Sequence, residues 1–365
     1  MDIPLARPYI TDEVKQKVNE VLDSGMLTEG RVTRELEEQF RGYLGCVRAL
    51  AATSCTTGME MALRALGVGP GDEVIVPGYT YPATADAVAL TGATVVVVDV
   101  DERTLLIDYD ALERAVSPRT KAILPVSLFG NPLDYGRLGP IARRHGLRII
   151  EDAACAMGAE FQGRKAGAWA DISVFSLHPR KFITTGEGGM ITTDNPAWAD
   201  WMESYKRFGL GPARPREAAA FERIGTNYKL SDLLAAVGVV QMRHVDALLA
   251  RRREQARIYQ DLLSAHPRLA LPATTPGGVH SWQSFCVFVE DRDRVLAGMR
   301  EKGIEVQIGT YALHLQPAFA GNPLCVFAGT LTGSHSAFQR CLALPLYHEL
   351  TAADQARVIR ELASL

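Results

Sequence analysis

The chain has 365 residues, 47% of them hydrophobic, and a formal net charge of −3 at pH 7, so it can build a large core and two domains. This nearly balanced charge gives no reason to expect bulk attraction to nucleic acid or to an anionic membrane. The sequence contains no run of 18 apolar residues and begins without the basic-then-apolar pattern of a signal peptide, so we expect neither a membrane span nor a secretory leader.

The predicted elements alternate between helices and short apolar strands. In chain order they are helices 13–22 and 34–44, strand 47–52, helix 57–66, turn 67–72, strand 73–76, helix 82–90, strand 94–98, helix 110–116 and strands 122–126, 148–150 and 172–175. This alternation predicts an α/β fold with a mostly parallel sheet flanked by helices. The four valines at 95–98 are typical of a strand that is covered on both faces.

A long helix is predicted over residues 231–263, and we place a domain boundary near it. Residues 1–248 are expected to form the large domain with an N-terminal segment, and residues 249–365 a smaller C-terminal α+β domain. Its predicted elements are strands 285–289 and 305–308 and helices 292–302, 332–340 and 352–362.

The cysteine pattern indicates a reducing environment. Six cysteines are scattered without a C-x-x-C pair, at positions Cys46, Cys55, Cys155, Cys286, Cys325 and Cys341. This arrangement argues against a zinc site or a disulfide framework and fits the cytoplasm. We therefore expect a cytoplasmic protein with no bound metal.

Polar residues follow three of the predicted strands. Cys55 and Thr56 stand at a helix start, where hydroxyls and free backbone N–H groups suit a phosphate. Asp152 ends the strand at 148–150, and Ser176 and Lys181 follow the strand at 172–175, just before the TTGEGG turn at 184–189. Ligands of open α/β sheets bind beyond the carboxyl ends of the strands. Each of these residues alone is common as a helix cap or a surface residue, but the three groups in this order are far more specific for a ligand site.

A lysine and an aspartate at two strand ends are the groups that pyridoxal 5'-phosphate (PLP) needs. The lysine amine forms a Schiff base with the cofactor aldehyde, and the carboxylate keeps the pyridine nitrogen protonated so that the ring accepts electrons. On these motifs the chain resembles the DegT-type sugar aminotransferases, within the fold-type I PLP-dependent enzymes of the aspartate aminotransferase superfamily. The resembling segments are 24–30, 71–77, 120–123, 151–154, 186–189, 227–231 and 344–346.

The resemblance implies roles for five of these residues. Lys181 is then the Schiff-base lysine, and Asp152 is the partner of the pyridine nitrogen. Ser176, Cys55 and Thr56 are then the residues that bind the cofactor phosphate.

The resemblance also assigns residues away from the strand ends. Tyr81 stands where the family stacks an aromatic ring on the cofactor; the alternative is a half-buried core tyrosine. Asn227 matches a residue that reaches the phosphate from the partner subunit, which implies a homodimer with shared active sites; the alternative is a cap on the helix near Ser231. Cys155 replaces a glutamine or histidine that contacts the ring hydroxyl, and a thiol is a weaker donor. Cys55 replaces a glycine, which restricts the backbone beside the phosphate.

Lysine at 181, where related sugar dehydratases carry histidine, favours amino transfer. The resemblance implies transfer from glutamate or glutamine to a ketosugar attached to a nucleotide diphosphate, in aminosugar biosynthesis. Lys206, Arg207 and Lys229 are candidate cations for the diphosphate, or else surface charges. His314 is a candidate substrate contact, or else a core or surface histidine. The alternatives for function are an aminotransferase acting on a cyclitol ketone and a PLP-binding regulator without turnover.

Overall fold

The computed structural model describes residues 1–211 and 218–365. Its helices are α1 Asp12–Ser24, α2 Arg31–Leu44, α3 Cys55–Ala65, α4 Ala83–Ala89, α5 Tyr109–Arg114, α6 Tyr135–His145, α7 Pro196–Tyr205, α8 Asp232–Arg243, α9 Val245–Leu263, α10 Arg292–Glu301, α11 Thr332–Arg340 and α12 Ala352–Ala363. Its strands are β1 Arg48–Ala52, β2 Glu73–Pro77, β3 Tyr79–Thr80, β4 Thr94–Val98, β5 Thr120–Ile123, β6 Arg148–Asp152, β7 Glu160–Phe161, β8 Arg164–Lys165, β9 Ile172–Ser176, β10 Gly189–Thr193, β11 Gly278–Val279, β12 Phe285–Phe288, β13 Gln307–Ile308, β14 Tyr311–Ala312, β15 Cys325–Ala328 and β16 Cys341–Leu344.

An eight-stranded sheet forms the centre of the molecule, in the order β1-β10-β9-β6-β5-β2-β4-β15. Strand β10 runs antiparallel to both of its neighbours, and the other neighbouring pairs are parallel. The valines of β4 are at most 5% exposed, since packed side chains cover both faces of this strand. The predicted α/β fold with a mostly parallel sheet is therefore confirmed.

The turns at the carboxyl ends of β1, β6 and β9 meet on one edge of this sheet. Strands β1 and β9 both pair antiparallel with β10 and so run in the same direction, and β6 is parallel to β9. Helix α3 begins directly after β1, because Ser54 and Thr57 form a reciprocal capping box at its start. A helix N-terminus and two strand ends therefore face the same space.

The predicted single helix over 231–263 is wrong, since α8 and α9 are separate helices that meet at a bend of 66°. His244 stands between them with φ −106° and ψ 7°, outside helical geometry. Within residues 1–211 and 218–365, no single helix is long and apolar enough to cross a membrane. Helices α8 and α9 would be long and apolar enough only if they were joined, and the bend separates them.

The C-terminal part, which here means residues 249–365, contributes strands both to a sheet of its own and to the large sheet. Strands β12, β16 and β13 form their own antiparallel sheet, which packs against α9, α10 and α12. Strand β15 instead extends the large sheet beside β4, and β14 pairs with β3. The predicted boundary between residues 248 and 249 lies inside α9, and the division into two domains stays a prediction.

Candidate active site

A cavity of about 330 Å³ lies at the sheet edge where the three strand ends meet. Seven of the predicted site residues line it: Cys55, Thr56, Tyr81, Asp152, Cys155, Ser176 and Lys181. The cavity therefore brings together residues that are up to 126 positions apart in the sequence, as the topology of β1, β6 and β9 requires.

Asp152 supplies a buried negative charge at the end of β6. Its carboxylate accepts hydrogen bonds from Thr84 Oγ1 at 2.8 Å and from the Ala154 amide at 3.1 Å. The side chain is fixed, and the residue is only 5% exposed. Burial raises its pKa above the ordinary aspartate value, although these hydrogen bonds and the charge of Lys181 oppose the shift. A buried carboxylate of this kind is stabilised by a cation, such as a protonated ring nitrogen.

Lys181 follows β9 and points its amine into the same cavity. Lys181 Nζ lies 3.1 Å from Cys155 Sγ. Burial lowers the pKa of this amine, but the neighbouring Cys155, Asp152 and Cys55 outweigh burial and raise it above the ordinary lysine value. The Lys181 amine therefore opens onto the same cavity as Asp152 and lies against the Cys155 thiol.

The loop that carries Lys181 is held by one side chain from the C-terminal part. Gln283 Oε1 accepts a hydrogen bond from the Phe182 amide at 3.2 Å, and Gln283 Nε2 donates to the Arg180 carbonyl at 2.9 Å. Arg252, which is 8% exposed, donates to the carbonyls of Trp282 and Gln283 and so fixes this amide in turn. The backbone on both sides of Lys181 is therefore restrained.

The start of α3 has the properties of an anion site. The backbone N–H groups of Cys55 and Thr56 have no acceptor in the described part of the chain, and Ser176 lines the same cavity. Only glycine fits at Gly189, because a Cβ there would lie 2.4 Å from the Ser54 carbonyl oxygen. Such a helix start binds phosphate readily.

The two cysteines of the site lie in different surroundings. Cys55 Sγ is buried and contacts the Val174 carbonyl oxygen at 3.4 Å. Cys55 is not among the residues with positive φ, so a glycine is not required for the backbone conformation there. Cys155 is partly exposed and touches the amine of Lys181.

Tyr81 lies at the cavity mouth and is 58% exposed. Its ring centre is 6.0 Å from that of Tyr311, at an interplanar angle of 65°. The alternative of a half-buried core tyrosine does not describe this position.

Asn227, Lys229 and His314 do not line the cavity of their own chain. Asn227 accepts a short hydrogen bond from Lys229, and Ser231 rather than Asn227 caps α8. His314 lies in a 3₁₀ turn with its ring centre 5.9 Å from that of His335.

Lys206 is engaged inside the chain and is not available to bind a diphosphate. Its side chain is 1% exposed, and its Nζ lies 2.6 Å from Glu29, 3.0 Å from Glu203 and 3.4 Å from Glu37. Arg207 pairs with Glu29 and Glu203 as well. Of the three predicted diphosphate cations, only Lys229 has no carboxylate partner in the described ranges.

The sequence prediction missed several residues of the cavity. Arg180 is one of them, and Gln283, Gln307 and Tyr311 come from the C-terminal part. Thr84, which holds the Asp152 carboxylate from behind the cavity lining, was missed as well. Arg180 could have been found, since it directly precedes Lys181; the others carry no local signal that links them to the three strand ends.

The groups around the cavity fit PLP. A buried carboxylate, an amine and an anion-binding helix start face one space, which suits a ring nitrogen, an aldehyde and a phosphate.

Comparison with known proteins gives the same result. The family model described as the DegT/DnrJ/EryC1/StrS aminotransferase family matches residues 8–363. The structure is similar to DesV from S. venezuelae, with 34% identity, coverage of 100% of this chain and 98% of that chain, and a TM-score of 0.91. It is similar to the PLP form of Spr1654, a proposed sugar aminotransferase from Streptococcus pneumoniae, with 28% identity, 100% and 98% coverage and a TM-score of 0.93. It also resembles 3-amino-5-hydroxybenzoic acid synthase, with 26% identity, 99% and 98% coverage and a TM-score of 0.92.

Proposed function

The chain belongs to the DegT/DnrJ/EryC1/StrS aminotransferase family, and we propose that it moves an amino group from glutamate or glutamine to a keto-deoxysugar carried by a nucleotide diphosphate. The family and the neighbouring structures make the protein a PLP-dependent aminotransferase. The observation that carries the assignment of the site is that Lys181 and Asp152 open onto one cavity. The likeness to Spr1654 supports a sugar as the amino acceptor.

Lys181 and Asp152 are proposed as the two residues that drive the chemistry. When bound, PLP supplies an aldehyde for covalent attachment and an electron sink for the carbanion at the donor carbon. Lys181 is the attachment point and, once released, carries the proton between that carbon and the cofactor. Asp152 keeps the ring nitrogen protonated from its buried position. Positioned proton transfer of this kind contributes roughly 10²–10⁴-fold.

The remaining cavity residues are proposed to hold the cofactor. Ser176, Thr56 and the backbone of Cys55 bind its phosphate, because free N–H groups and hydroxyls converge there. Tyr81 covers the face of the ring, and Cys155 lies beside the ring hydroxyl.

We propose that the protein works as a homodimer with shared active sites. Asn227 then reaches the phosphate of the partner subunit's cofactor, and Lys229 and His314 contact substrate. Three large hydrophobic side chains that precede Asn227 in the chain support this arrangement, because a partner subunit would cover them. They are Phe208, Phe221 and Ile224, which are 52%, 68% and 97% exposed. A cytoplasmic location is also proposed, and the six free cysteines support it.

A second candidate acceptor is a cyclitol ketone, which needs the same chemistry. The likeness to 3-amino-5-hydroxybenzoic acid synthase favours keeping it, because the product named there is an aminated carbocycle. Both candidates use the same residues of this chain.

The experiment has two parts. Borohydride reduction of the purified, PLP-loaded protein is expected to fix the cofactor to the peptide that contains Lys181, and Lys181→Ala is expected to abolish labelling and to lower amino transfer by at least about 10²-fold. Lys15→Ala changes an exposed lysine on α1 and serves as the control. Labelling of another lysine would contradict the assignment.

The second part tests turnover. Glutamate or glutamine is expected to change the visible absorption of the bound cofactor, and ketosugar nucleotides and cyclitol ketones are then screened by mass spectrometry. A protein that binds PLP at Lys181 but exchanges with no amino acid would be a regulator rather than an enzyme.

A further inference from the structure

Arg180 places a guanidinium on the cavity wall next to Lys181 in the chain. Its side chain is exposed to the cavity, and its Nη1 donates to Gln307 Oε1 at 3.0 Å. The Arg180 carbonyl accepts from Gln283 Nε2 at 2.9 Å. Both the backbone and the guanidinium are therefore held by residues of the C-terminal part.

The charge of this guanidinium has no partner within the part of the chain that the structure describes. No carboxylate oxygen there lies within 4.0 Å of it, and its one side-chain partner is the neutral amide of Gln307. Two acids line the same cavity, and neither forms an ion pair with Arg180: Asp152 is hydrogen-bonded to Thr84, and Glu187 has His178, at 3.9 Å, as its nearest basic group among the described residues. The remaining N–H groups of Arg180 are thus free to bind an anion from solution.

The chemistry of the donor requires an anion close to Lys181. In an α-amino acid the carboxyl carbon lies about 2.5 Å from the amino nitrogen, because only two bonds separate them. That nitrogen has to reach the atom to which Lys181 is attached, so the carboxylate enters the same region. A planar guanidinium binds a carboxylate through two parallel hydrogen bonds. A diphosphate at the other end of a sugar has no such constraint.

We infer that Arg180, oriented by Gln307, binds a carboxylate of the amino donor. This inference rests on the proposed function and names the donor site within it. The carboxylate is either the α-carboxylate, which every amino acid carries, or the distal carboxylate of glutamate. Two donors distinguish the sources, because alanine has only the first.

The test uses the PLP-loaded protein and follows the cofactor absorption during reaction with glutamate or alanine. Arg180→Gln is expected to raise the half-saturating donor concentration about 10- to 100-fold, as for loss of a charged hydrogen bond. Gln307→Glu is expected to act in the same direction, because it sets a carboxylate against the guanidinium. Arg137→Gln and Gln16→Glu change exposed residues on α6 and α1 and are the matched controls.

An increase for both donors assigns the α-carboxylate, and an increase for glutamate alone assigns the distal one. Unchanged half-saturation for both donors in both variants overturns the inference. A second readout is independent of turnover: calorimetric binding of glutarate, a dicarboxylate without an amino group. If the wild-type protein converts no amino acid, the proposed function fails, and the binding of glutarate then tests the carboxylate site by itself. Weaker glutarate binding by Arg180→Gln then supports the carboxylate site, whereas equal or absent binding in both proteins overturns it.

Discussion

Replacing Lys206 with methionine tests the buried ion cluster beside the active site. Lys206 Nζ contacts three carboxylates and also donates to the Ala51 carbonyl at 3.0 Å, just before the turn that contains Cys55. Methionine has a similar length but removes the charge. Glu29, with a side chain only 3% exposed, then keeps Arg207 as its cationic partner.

The expected loss follows from the burial of both partners. Removing one member of a buried ion pair costs about 3–5 kcal/mol, since the other charge remains uncompensated. The entropy of unfolding is about 2.1 cal/mol/K per residue, which gives about 0.8 kcal/mol/K for a chain of this length. The apparent Tm of Lys206→Met should therefore fall by about 4–6 °C.

Thermal unfolding followed by circular dichroism measures this difference. Lys15→Met makes the same substitution in an exposed pair with Asp12, where the side chains are 65% and 96% exposed, and should change the Tm by no more than about 1 °C. Adding Glu37→Gln to Lys206→Met should recover part of the loss, because Glu37 pairs with Lys206 but not with Arg207 and is the carboxylate left uncompensated. A Tm for Lys206→Met equal to that of Lys15→Met would refute the reasoning.

Two further predictions concern single carboxylates. In the cluster, two cations, Lys206 and Arg207, face the carboxylates of Glu29, Glu37 and Glu203, and burial raises the pKa of Glu37 despite the charge of Lys206. A raised folded-state pKa contributes stability that is full below about pH 4.5 and is lost as the pH rises through the folded value. In urea unfolding, Glu37→Gln should therefore be more stable than the wild type at pH 8 and equal to it below about pH 4.5. A variant that is less stable than the wild type at pH 8 would contradict this sign. Asp152→Asn should lower amino transfer by about 10²–10³-fold, because a fixed charge is lost, while borohydride still labels Lys181; full activity would show that the ring nitrogen needs no charged partner here.

The alternation of helix and strand patterns in the sequence predicted the centre of the fold, because each pattern is formed by residues that are close together in the chain. The strand predicted over 94–98 is β4, since a run of valines reads as a buried strand at any register. Helix α6 was missed, because two glycines and Pro140 weaken its helical pattern. Strand β15 was missed as well, since β4, the strand with which it pairs, lies about 230 residues earlier in the chain. Pairing over such distances leaves no local trace.

The site was predictable to the extent that it lies at strand ends. Lys181, Asp152 and Cys55 each follow a strand, and parallel topology brings such ends to one edge. The burial of Lys206 was not predictable, because its partners come from two segments, one including Glu29 and Glu37 and the other Glu203. A charged residue in a polar segment is usually exposed, and only the packing of α2 and α7 around β1 reverses that expectation here.

The division of the cavity between two parts of the chain limits what each substitution can change. Asp152 and Lys181 are the two residues proposed to act on the cofactor. Thr84 and the Ala154 amide hold the Asp152 carboxylate at the end of β6, and Lys181 follows β9. Both parts contribute to the mouth, where Gln307 contacts Arg180 and Tyr311 contacts Tyr81. The backbone on both sides of Lys181 is held by Gln283, through hydrogen bonds that involve neither Gln307 nor Tyr311. We therefore expect contacts at the mouth to vary without moving the Lys181 amine. Differences in donor and acceptor among related chains should accordingly map to the mouth, and exchanging its residues should alter substrate choice while borohydride labelling of Lys181 is retained.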